Sequence, residues 1–505
     1  MSLPVVVVGA GPAGITVATL LASYGVEVLV LDRWREVYPQ PRAVHLDDEI
    51  YRVLAQLGVA DEFARISRPT QGLRLQDSRH RVIAEFRRNE RTGRHGYPQA
   101  NLFDQPDLEA LLRANLSKQP LVTFRGDVEV VAVHQTSAAA VRLEVHDRTS
   151  GESETLFAEY VLGCDGANSV VRRSIGARMR DLGFKQRWLV VDLTADHELG
   201  QWDGVHQVCD TNRAATYMRI NDRRHRWEFQ LKDGETSADY DSLTTLRPLL
   251  RPWIGESSGV EIVRVAEYTF RAQVADRWRD RRVFLVGDAA HLTPPFIGQG
   301  MGAGIRDAVN LSWKLAGVLD GTLPENALDT YQRERRPHAT QMILRAVAVG
   351  TVMTYGGRVG DVLRRLVTPR LHLIPGVHAR LLDSVTPRLR PSLVVRRRWD
   401  RGPAGALCPN APISGTTRFD DHAAGRFALV STQPLSAEQQ AEAESRGIVV
   451  LESQRGEPLN SWLTHAHKTA ALVRPDAGVL VSSERLQDTL RVAAELGIRR
   501  SLTSR

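Results

Sequence analysis

Three short stretches of this 505-residue chain have the residue types and spacing to hold a phosphorylated, flat-ringed ligand. The first is Gly9-x-Gly11-Pro12-Ala13-Gly14, which follows the β-branched run Val5–Val8 and opens a helical stretch from Ile15 to Tyr24. There the glycines permit a tight turn, close approach of backbone to a pyrophosphate and close helix–strand packing. The helix N-terminus adds unpaired N–H groups and the positive end of its dipole. Val26–Leu31 reads as the next buried strand, and Asp32 at its end, followed by Arg33, is placed to accept a ribose hydroxyl 18 residues past Gly14. The fingerprint does not separate NAD from FAD, and a glycine turn with no ligand is the plain alternative.

The second stretch, Gly163-Cys-Asp165-Gly166-Ala-Asn-Ser169, ends the short strand Tyr160–Gly163. Taken alone it reads as a loop with a helix N-cap. The third is Gly287-Asp288-Ala-Ala-His291, after the buried strand Arg282–Val286, and then Pro294-Pro295-Phe-Ile-Gly298-Gln-Gly300-Met301-Gly302-Ala-Gly304. Asp288 stands at the carboxyl end of a parallel strand, where open α/β sheets place ligands. Glycine at that density costs chain entropy and points to something approaching the backbone closely. A ring with a carbonyl edge at the helix N-terminus near Gly300 would meet free N–H groups. Tight helix packing at Gly302, Ala303, Gly304 and Ala308 explains part of the run.

The elements that must position these stretches follow from the pattern of apolar residues. Asp48–Leu57 and Gln105–Leu116 have helical spacing, Gly72–Phe86 alternates as a hairpin, and Leu121–Val133 and Ala139–Val145 read as antiparallel strands. From Trp188 to about Val274 polar alternation predicts an antiparallel sheet, half exposed. A helix is expected from about Gly302 to Leu319, and residues 340–400 are Arg-rich and helical, with Pro369, Pro375, Pro387 and Pro391. The tail reads as a small separate unit, with strands near Phe427–Val430 and Ile448–Leu451, a helix Ala437–Arg446, a hairpin Ala470–Val481 and a last helix to about Leu496.

Taken in this order, the three motifs resemble the class A FAD-dependent aromatic monooxygenases. Pro41-Arg42-Ala-Val-His45-Leu-Asp47-Asp-Glu49, Asn101-Leu-Phe-Asp-Gln105, Arg226-Trp-Glu-Phe229 and Thr330-Tyr-Gln-Arg-Glu-Arg-Arg336 are similar to the 3-(3-hydroxyphenyl)propionate hydroxylase branch, over about residues 1–345. The resemblance implies an α/β fold: a Rossmann-like FAD-binding domain (1–180 and 281–345) interleaved with an antiparallel-sheet substrate domain (181–280, joined by 72–97). A helical connector (346–400) and a thioredoxin-like C-terminal domain (401–505) follow. It places Arg42 and Gln105 beside FAD, and Asp288, Pro295, Gly298, Gly300 and Met301 near its pyrophosphate, ribityl and ring. It implies NADH or NADPH as a transiently docked donor, molecular oxygen and a small aromatic substrate, with hydroxylation through a flavin hydroperoxide. Gly356-Gly357-x-x-Gly360 has the wrong spacing for a further dinucleotide fingerprint.

A base that draws a proton from a phenol would make the ring more nucleophilic. His45, Asp47, His206 and Tyr217 are candidates, each with the plainer reading of a satisfied structural residue. Arg219 is a candidate to hold a substrate carboxylate. A polyketide-type aromatic substrate, a flavin-dependent reductase or halogenase of the same fold, and a non-catalytic assembly protein are the alternatives; a halogenase Trp-x-Trp-x-Ile-Pro segment is missing from the sequence.

Composition narrows the class. Apolar residues make up 42% and charged residues 25%, which excludes disordered, collagenous and disulfide-scaffold classes. Cys164, Cys209 and Cys408 lie far apart, with neither CxxC nor metal spacing, so no metal site is expected and a reducing compartment fits. No apolar run approaches the roughly 20 residues of a membrane span. With no basic n-region at the start either, a cytoplasmic protein is expected. The net charge of +7 resides in Arg clusters such as Arg277–Arg282 and Arg396–Arg401 that accompany no nucleic-acid motif. These read as solvated faces, with a mild attraction for anionic cofactors and carboxylated substrates. Residues 340–505 are expected either to form a homodimer contact or to cover the FAD domain.

Overall fold

The computed structural model describes residues 3–40, 42–88, 91–135, 140–255, 259–355, 386–397 and 402–499. The 356–360 glycines, Pro369, Pro375, Arg401 and much of the expected connector lie outside the described residues.

A first sheet is built around the buried valines of the N-terminal strand, Val5, Val6 and Val7, each fully enclosed. Its strands run, in spatial order, Arg279–Asp280, Val283–Leu285, Ser153–Gly163, Leu3–Val8, Val28–Leu31 and Val122–Arg125. Along this path all but the first edge strand are parallel, while Val141–Asp147 and Val128–Gln135 branch off Ser153–Gly163 as antiparallel strands of the same eight-stranded sheet. Continuous apolar strands of this kind must be covered on both faces. The helix Pro12–Ser23 packs on the helix Gly300–Leu319 to do part of that. Leu121–Val133 is not one antiparallel strand: the chain turns at Asp127 (φ 61°), so Val122–Arg125 joins the parallel sheet and Val128–Gln135 pairs antiparallel with Val141–Asp147.

The second sheet has eight strands, in the order His291–Leu292, Val260–Ala275, Met179–Ala195, Arg224–Gln230, Ala215–Arg219, Val205–Val208, Gly72–Gln76 and Val82–Arg87. Its centre is buried on both faces rather than half exposed: Arg224–Gln230 encloses five consecutive residues. The reason is a helix that strand alternation does not reveal, Leu243–Ile254, started by a Ser242 capping box and holding Pro248 and Pro252. Its Leu246, Leu250 and Trp253 pack on Leu189, Val191, Tyr217, Trp227 and Phe229. The opposite face looks toward the first sheet's loops. A small sheet of His45–Asp47, Ala100–Phe103 and Ser67–Pro69 lies in the same part of the molecule.

Residues 428–495 alternate as strand, helix, strand, helix, strand, strand, helix, around a four-stranded sheet ordered Val449–Glu452, Ala428–Ser431, Ala470–Val473, Val479–Ser483. This tail is docked on the N-terminal part through buried charge. Arg52 donates to both oxygens of Asp420 (2.5 Å each) and to the Cys408 carbonyl (2.7 Å). Arg474 donates to Glu334 (3.1 Å), which also receives Lys314 (2.9 Å), with all three side chains fully enclosed.

Candidate active site

The three motifs meet at one edge. Val8, Gly163 and Leu285 are register partners at the carboxyl ends of adjacent parallel strands, so the chain leaves each of them into a motif on the same side. Gly9 has φ 104°, and a Cβ there would strike the Cys164 carbonyl; one on Gly14 would strike the Gly9 carbonyl. Those two glycines are demanded by the protein's own packing. Gly11 is different, since a Cβ there would meet nothing within 4 Å. It caps the helix Pro12–Ser23 without a side-chain bond, so the first N–H groups, including that of Ala13, face open space.

Asp32 accepts from the Ala10 N–H (2.6 Å) and the Trp34 N–H (2.8 Å), which fixes its carboxylate beside the glycine turn. Arg33 is exposed, with its guanidinium 6.0 Å from the Trp34 ring centre. Asp165 turns inward: it accepts from the Ser169 hydroxyl (2.5 Å) and the Val170 and Val171 N–H groups (2.7 and 3.1 Å), the capping role that a loop before a helix suggests. Gly166 (φ 78°) leaves open space beside it. Arg172 donates to the Ala167 and Ala289 carbonyls (2.7 and 3.0 Å) and so ties the second motif to the third.

At the third motif Gly287 (φ 64°) packs against Ala13 and Gly304, and its N–H donates to Asp307 (3.1 Å). Asp307 also bonds His291 (2.7 Å) and Arg335 (2.8 Å). Burial works to raise its carboxyl, and the interactions with His291 and Arg335 outweigh it. Asp288 is accessible, yet its carboxylate receives no hydrogen bond from any described residue. Desolvation by the surrounding loops raises its pKa. The turn Pro295–Ile297 ends in Gly298 (φ 63°), where a Cβ would strike the His45 ring. Gly300 and Met301 then open the helix Gly300–Leu319 with no side-chain cap. Gln105 accepts from the Ala43 N–H (2.5 Å) and donates to Glu109 (2.6 Å), so it anchors the loop that carries Arg42. Arg42 itself is exposed and stacks 5.2 Å from the Tyr38 ring centre.

These residues fit a dinucleotide with a flavin end. Two helix N-termini without side-chain caps, an open glycine between them and an unpartnered carboxylate on one sheet edge offer donors for a pyrophosphate and a ring carbonyl, and an acceptor for a hydroxyl chain. Residues 2–346 match the FAD-binding domain family. This chain belongs to the class A FAD-dependent aromatic monooxygenases. FAD is the cofactor of the monooxygenase, and a reduced nicotinamide dinucleotide is its electron donor. A probable NADH-specific resorcinol 4-hydroxylase of Rhodococcus jostii (strain RHA1) is 31% identical over 98% of this chain and 94% of its own. A 3-(3-hydroxy-phenyl)propionate/3-hydroxycinnamic acid hydroxylase of Burkholderia cenocepacia (strain HI2424) is 36% identical over 75% of this chain and 69% of its own. Among solved structures, aklavinone-11 hydroxylase with FAD and aklavinone superposes with a TM-score of 0.81 at 25% identity, covering 99% of both chains.

The monooxygenase separates the residues that chemistry alone had grouped as bases. Tyr217 is buried on the face of the second sheet covered by the helix Leu243–Ile254, where its hydroxyl bonds His225 Nδ1 (2.9 Å) and its ring packs on Trp227 and Trp253. His206 is its register partner and lies on the same face, 3.0 Å from the Trp202 carbonyl. Arg219, two residues on, shares that side and pairs with Glu198. None of the three looks toward the first-sheet loops. Asp47 is on the right side but is not available as a base. It caps the helix Asp48–Gln56 and accepts from Gln299 (2.9 Å) and Arg306 (2.6 Å). Burial pushes its carboxyl up, but Arg306 and these hydrogen bonds prevail and hold it down to about 2. His45 alone of the group lies against the Gly298 turn, with Nδ1 3.5 Å from the Gly298 carbonyl. Burial, aided by Arg88, lowers its pKa to about 4, which keeps it neutral near pH 7.

Sequence reasoning missed Arg306, which donates to Asp47, Glu49 and the side-chain oxygen Oε1 of Gln299 and thereby fastens the Gly298–Met301 turn. An Arg inside an otherwise small and apolar helical run was the available signal. A cavity of about 900 Å³ between the N-terminal part and the tail is bordered by Glu49, Arg306 and Arg474, but not by Gly11, Asp288 or Gly298.

Proposed function

We propose that the monooxygenase hydroxylates a small phenolic ring, a resorcinol- or 3-hydroxyphenylpropionate-like compound, with molecular oxygen as co-substrate. The observation that carries this is the convergence of Gly11, Asp288 and the Gly298–Met301 turn on one sheet edge that faces a second, polar-lined sheet. The named activities of the relatives supply the substrate class. The chemistry supplied by FAD there is hydride uptake from the nicotinamide and activation of oxygen for transfer of one atom to the ring, the other leaving as water.

The chain's own residues bind and orient. The N–H groups after Gly11 hold the pyrophosphate, Asp32 and Asp288 accept ribose and ribityl hydroxyls, and the Gly300–Met301 end of the long helix stabilises negative charge on the ring edge. Trp188, Phe270 and Phe296 pack ring against ring beside the turn and keep water out. In keeping with three free cysteines, the reading includes a cytoplasmic location.

The test is NADH and NADPH oxidation with oxygen uptake across a panel of resorcinol, 3-(3-hydroxyphenyl)propionate and a polycyclic phenol. Stimulated oxidation with hydroxylated product is expected; a yellow protein that turns over none of them would sink it. Preference for the polycyclic phenol would favour a second reading, a polyketide-type substrate, which the full-length likeness to aklavinone-11 hydroxylase supports.

A further inference from the structure

On the side of the second sheet that faces the FAD loops, one row of side chains leaves two acceptors open. Register aligns Gln207 with Thr216, Thr216 with Glu228, and Glu228 with Val190, across four adjacent strands. Gln207 Nε2 donates to the Phe296 carbonyl (2.9 Å), so this row faces the Pro295–Gly298 turn. Arg226, two residues before Glu228 and on the same face, donates to the Arg42 carbonyl (2.9 Å). Glu228 therefore lies on a surface pinned at both sides to the loops that flank the flavin position.

Gln207 Oε1 is buried and has no partner among the described residues. The Glu228 carboxylate, 9% exposed, receives no hydrogen bond from any described residue. The neighbouring Arg226 is directed to Asp192, donating to both of its oxygens (2.7 and 3.0 Å). Leaving the buried Gln207 oxygen unpaired costs about 1–3 kcal/mol, and native interiors rarely keep such an acceptor without a use. A wall of acceptors calls for a ligand that brings donors, and a phenol brings an O–H.

We infer that Glu228 is the catalytic base for the ring hydroxyl of the substrate, with Gln207 and Thr216 completing the wall that holds that hydroxyl. This rests on the hydroxylase reading above. The phenolic O–H bond breaks and its proton passes to a Glu228 carboxylate oxygen. The electron pair left on the phenolic oxygen feeds the ring, and the ring carbon ortho or para to it forms the new C–O bond to one atom of the activated molecular oxygen, whose O–O bond breaks as the other atom leaves toward water. As the ring becomes aromatic again that carbon releases its hydrogen to solvent as a proton, and Glu228 returns its own to the phenolic oxygen. Burial raises the Glu228 pKa, with Arg226 opposing and Asp192 adding to the rise, which makes it a stronger base than an ordinary carboxylate. The facing turn Pro295–Ile297 carries no charge.

Glu228→Gln and Glu228→Asp, loaded with FAD, test this with whichever panel phenol the wild type hydroxylates best. Glu228→Gln is expected to keep FAD, while hydroxylated product per NADH falls about 100-fold and the acid limb of the kcat profile disappears. Glu228→Asp is expected to restore the limb and part of the yield. Should Glu228→Gln fail to hold FAD, wild-type binding decides: the phenol is expected to bind about tenfold or more tighter than its methyl ether, which has no donor. Coupled hydroxylation surviving in Glu228→Gln with an unchanged pH profile, or equal binding of phenol and ether, overturns the role of Glu228 alone. An FAD-loaded wild type that oxidises no phenol overturns the hydroxylase reading, and this one with it.

Discussion

The two faces of the second sheet are built from the same strands and do opposite work. On the face under the helix Leu243–Ile254, the rings of Tyr217, His206, His225, Trp227 and Trp253 pack on one another, and Tyr217 bonds His225. On the face toward the FAD loops the neighbouring residues are Thr216, Met218, Arg226 and Glu228, with Asp192 and Gln207 beside them. A single step along a strand separates Tyr217 from Met218 and Trp227 from Glu228. Residue type marks the helix-covered face as the reactive one, since it holds the Tyr and His groups. Position marks the other, because it alone reaches Arg42 and Phe296.

The comparison breaks most visibly at the ion pair that braces the FAD-facing side. Arg226 and Asp192 are 2% and 0% exposed, so removing Arg226 leaves the buried Asp192 carboxylate, among the described residues, with only the more distant Arg264 (3.8 Å). Arg226→Ala is expected to lower stability by about 3–5 kcal/mol. It should also weaken FAD binding, through loss of the bond to the Arg42 carbonyl. Thermal unfolding and flavin titration check both. The paired change Arg226→Met with Asp192→Leu should recover most of the stability but not the FAD affinity; if it recovers neither, the pair is not what braces this face.

Acid is the next tool, and it acts on the helix-covered face. Burial and Arg219 lower the His225 pKa from an ordinary 6.5 to about 4. Above pH 6.5 the imidazole is neutral whether the chain is folded or not. Between pH 6.5 and 4 the unfolded chain takes up a proton that the folded one refuses, so stability falls with acid and levels off below about pH 4. The contribution is on the order of 1–2 kcal/mol. In a series of unfolding midpoints against pH, His225→Asn should flatten this part of the curve while leaving hydroxylation at neutral pH unchanged. An unaltered slope would show that His225 is not the group being titrated.

The same contrast explains what the sequence could and could not reveal. Gly9, Gly11, Gly14 and Asp288 were legible because their roles depend on a strand and a helix a few residues away. The helix Leu243–Ile254 was not, since two prolines interrupt its pattern and its partner is a sheet from elsewhere in the chain. Asp47 carried a readable cap signal, with Asp48 and Glu49 in the first helical turn, yet its function as an acceptor for Arg306 bridges 259 residues of sequence. Which face a strand residue takes is fixed by register with distant strands, and no local pattern separates Tyr217 from Glu228. Charges such as Lys314 and Glu334 lie deep beneath the tail, although their types suggest surface.

A smaller effect is expected at Tyr217. Tyr217→Phe removes the bond to His225 but keeps the ring among Trp227 and Trp253. The loss should be about 1 kcal/mol, with kcat and product per NADH within about twofold of wild type. A loss of coupling at constant FAD content would put the substrate on the wrong side of the sheet.

The smallest effect tests the edge between the faces. By type Arg219 is suited to hold a substrate carboxylate, but its guanidinium is directed to Glu198 (3.0 Å) and the Asn221 and Asp222 carbonyls (3.2 and 3.3 Å). Glu198 is 76% exposed, so the pair is a surface one, worth about 0–1 kcal/mol. Arg219 also shares its face with Tyr217, on the same strand two residues away, and the sheet stands between it and the FAD loops. Arg219→Ala should therefore leave the KM for a carboxylated phenol within about twofold, and lower stability by less than about 1 kcal/mol. A tenfold rise in KM at constant kcat, seen with the carboxylated phenol and not with resorcinol, would mean that the substrate's acid group reaches around the sheet edge. The division between a structural and a catalytic face would then hold for the ring hydroxyl at Glu228 but not for the far end of the substrate.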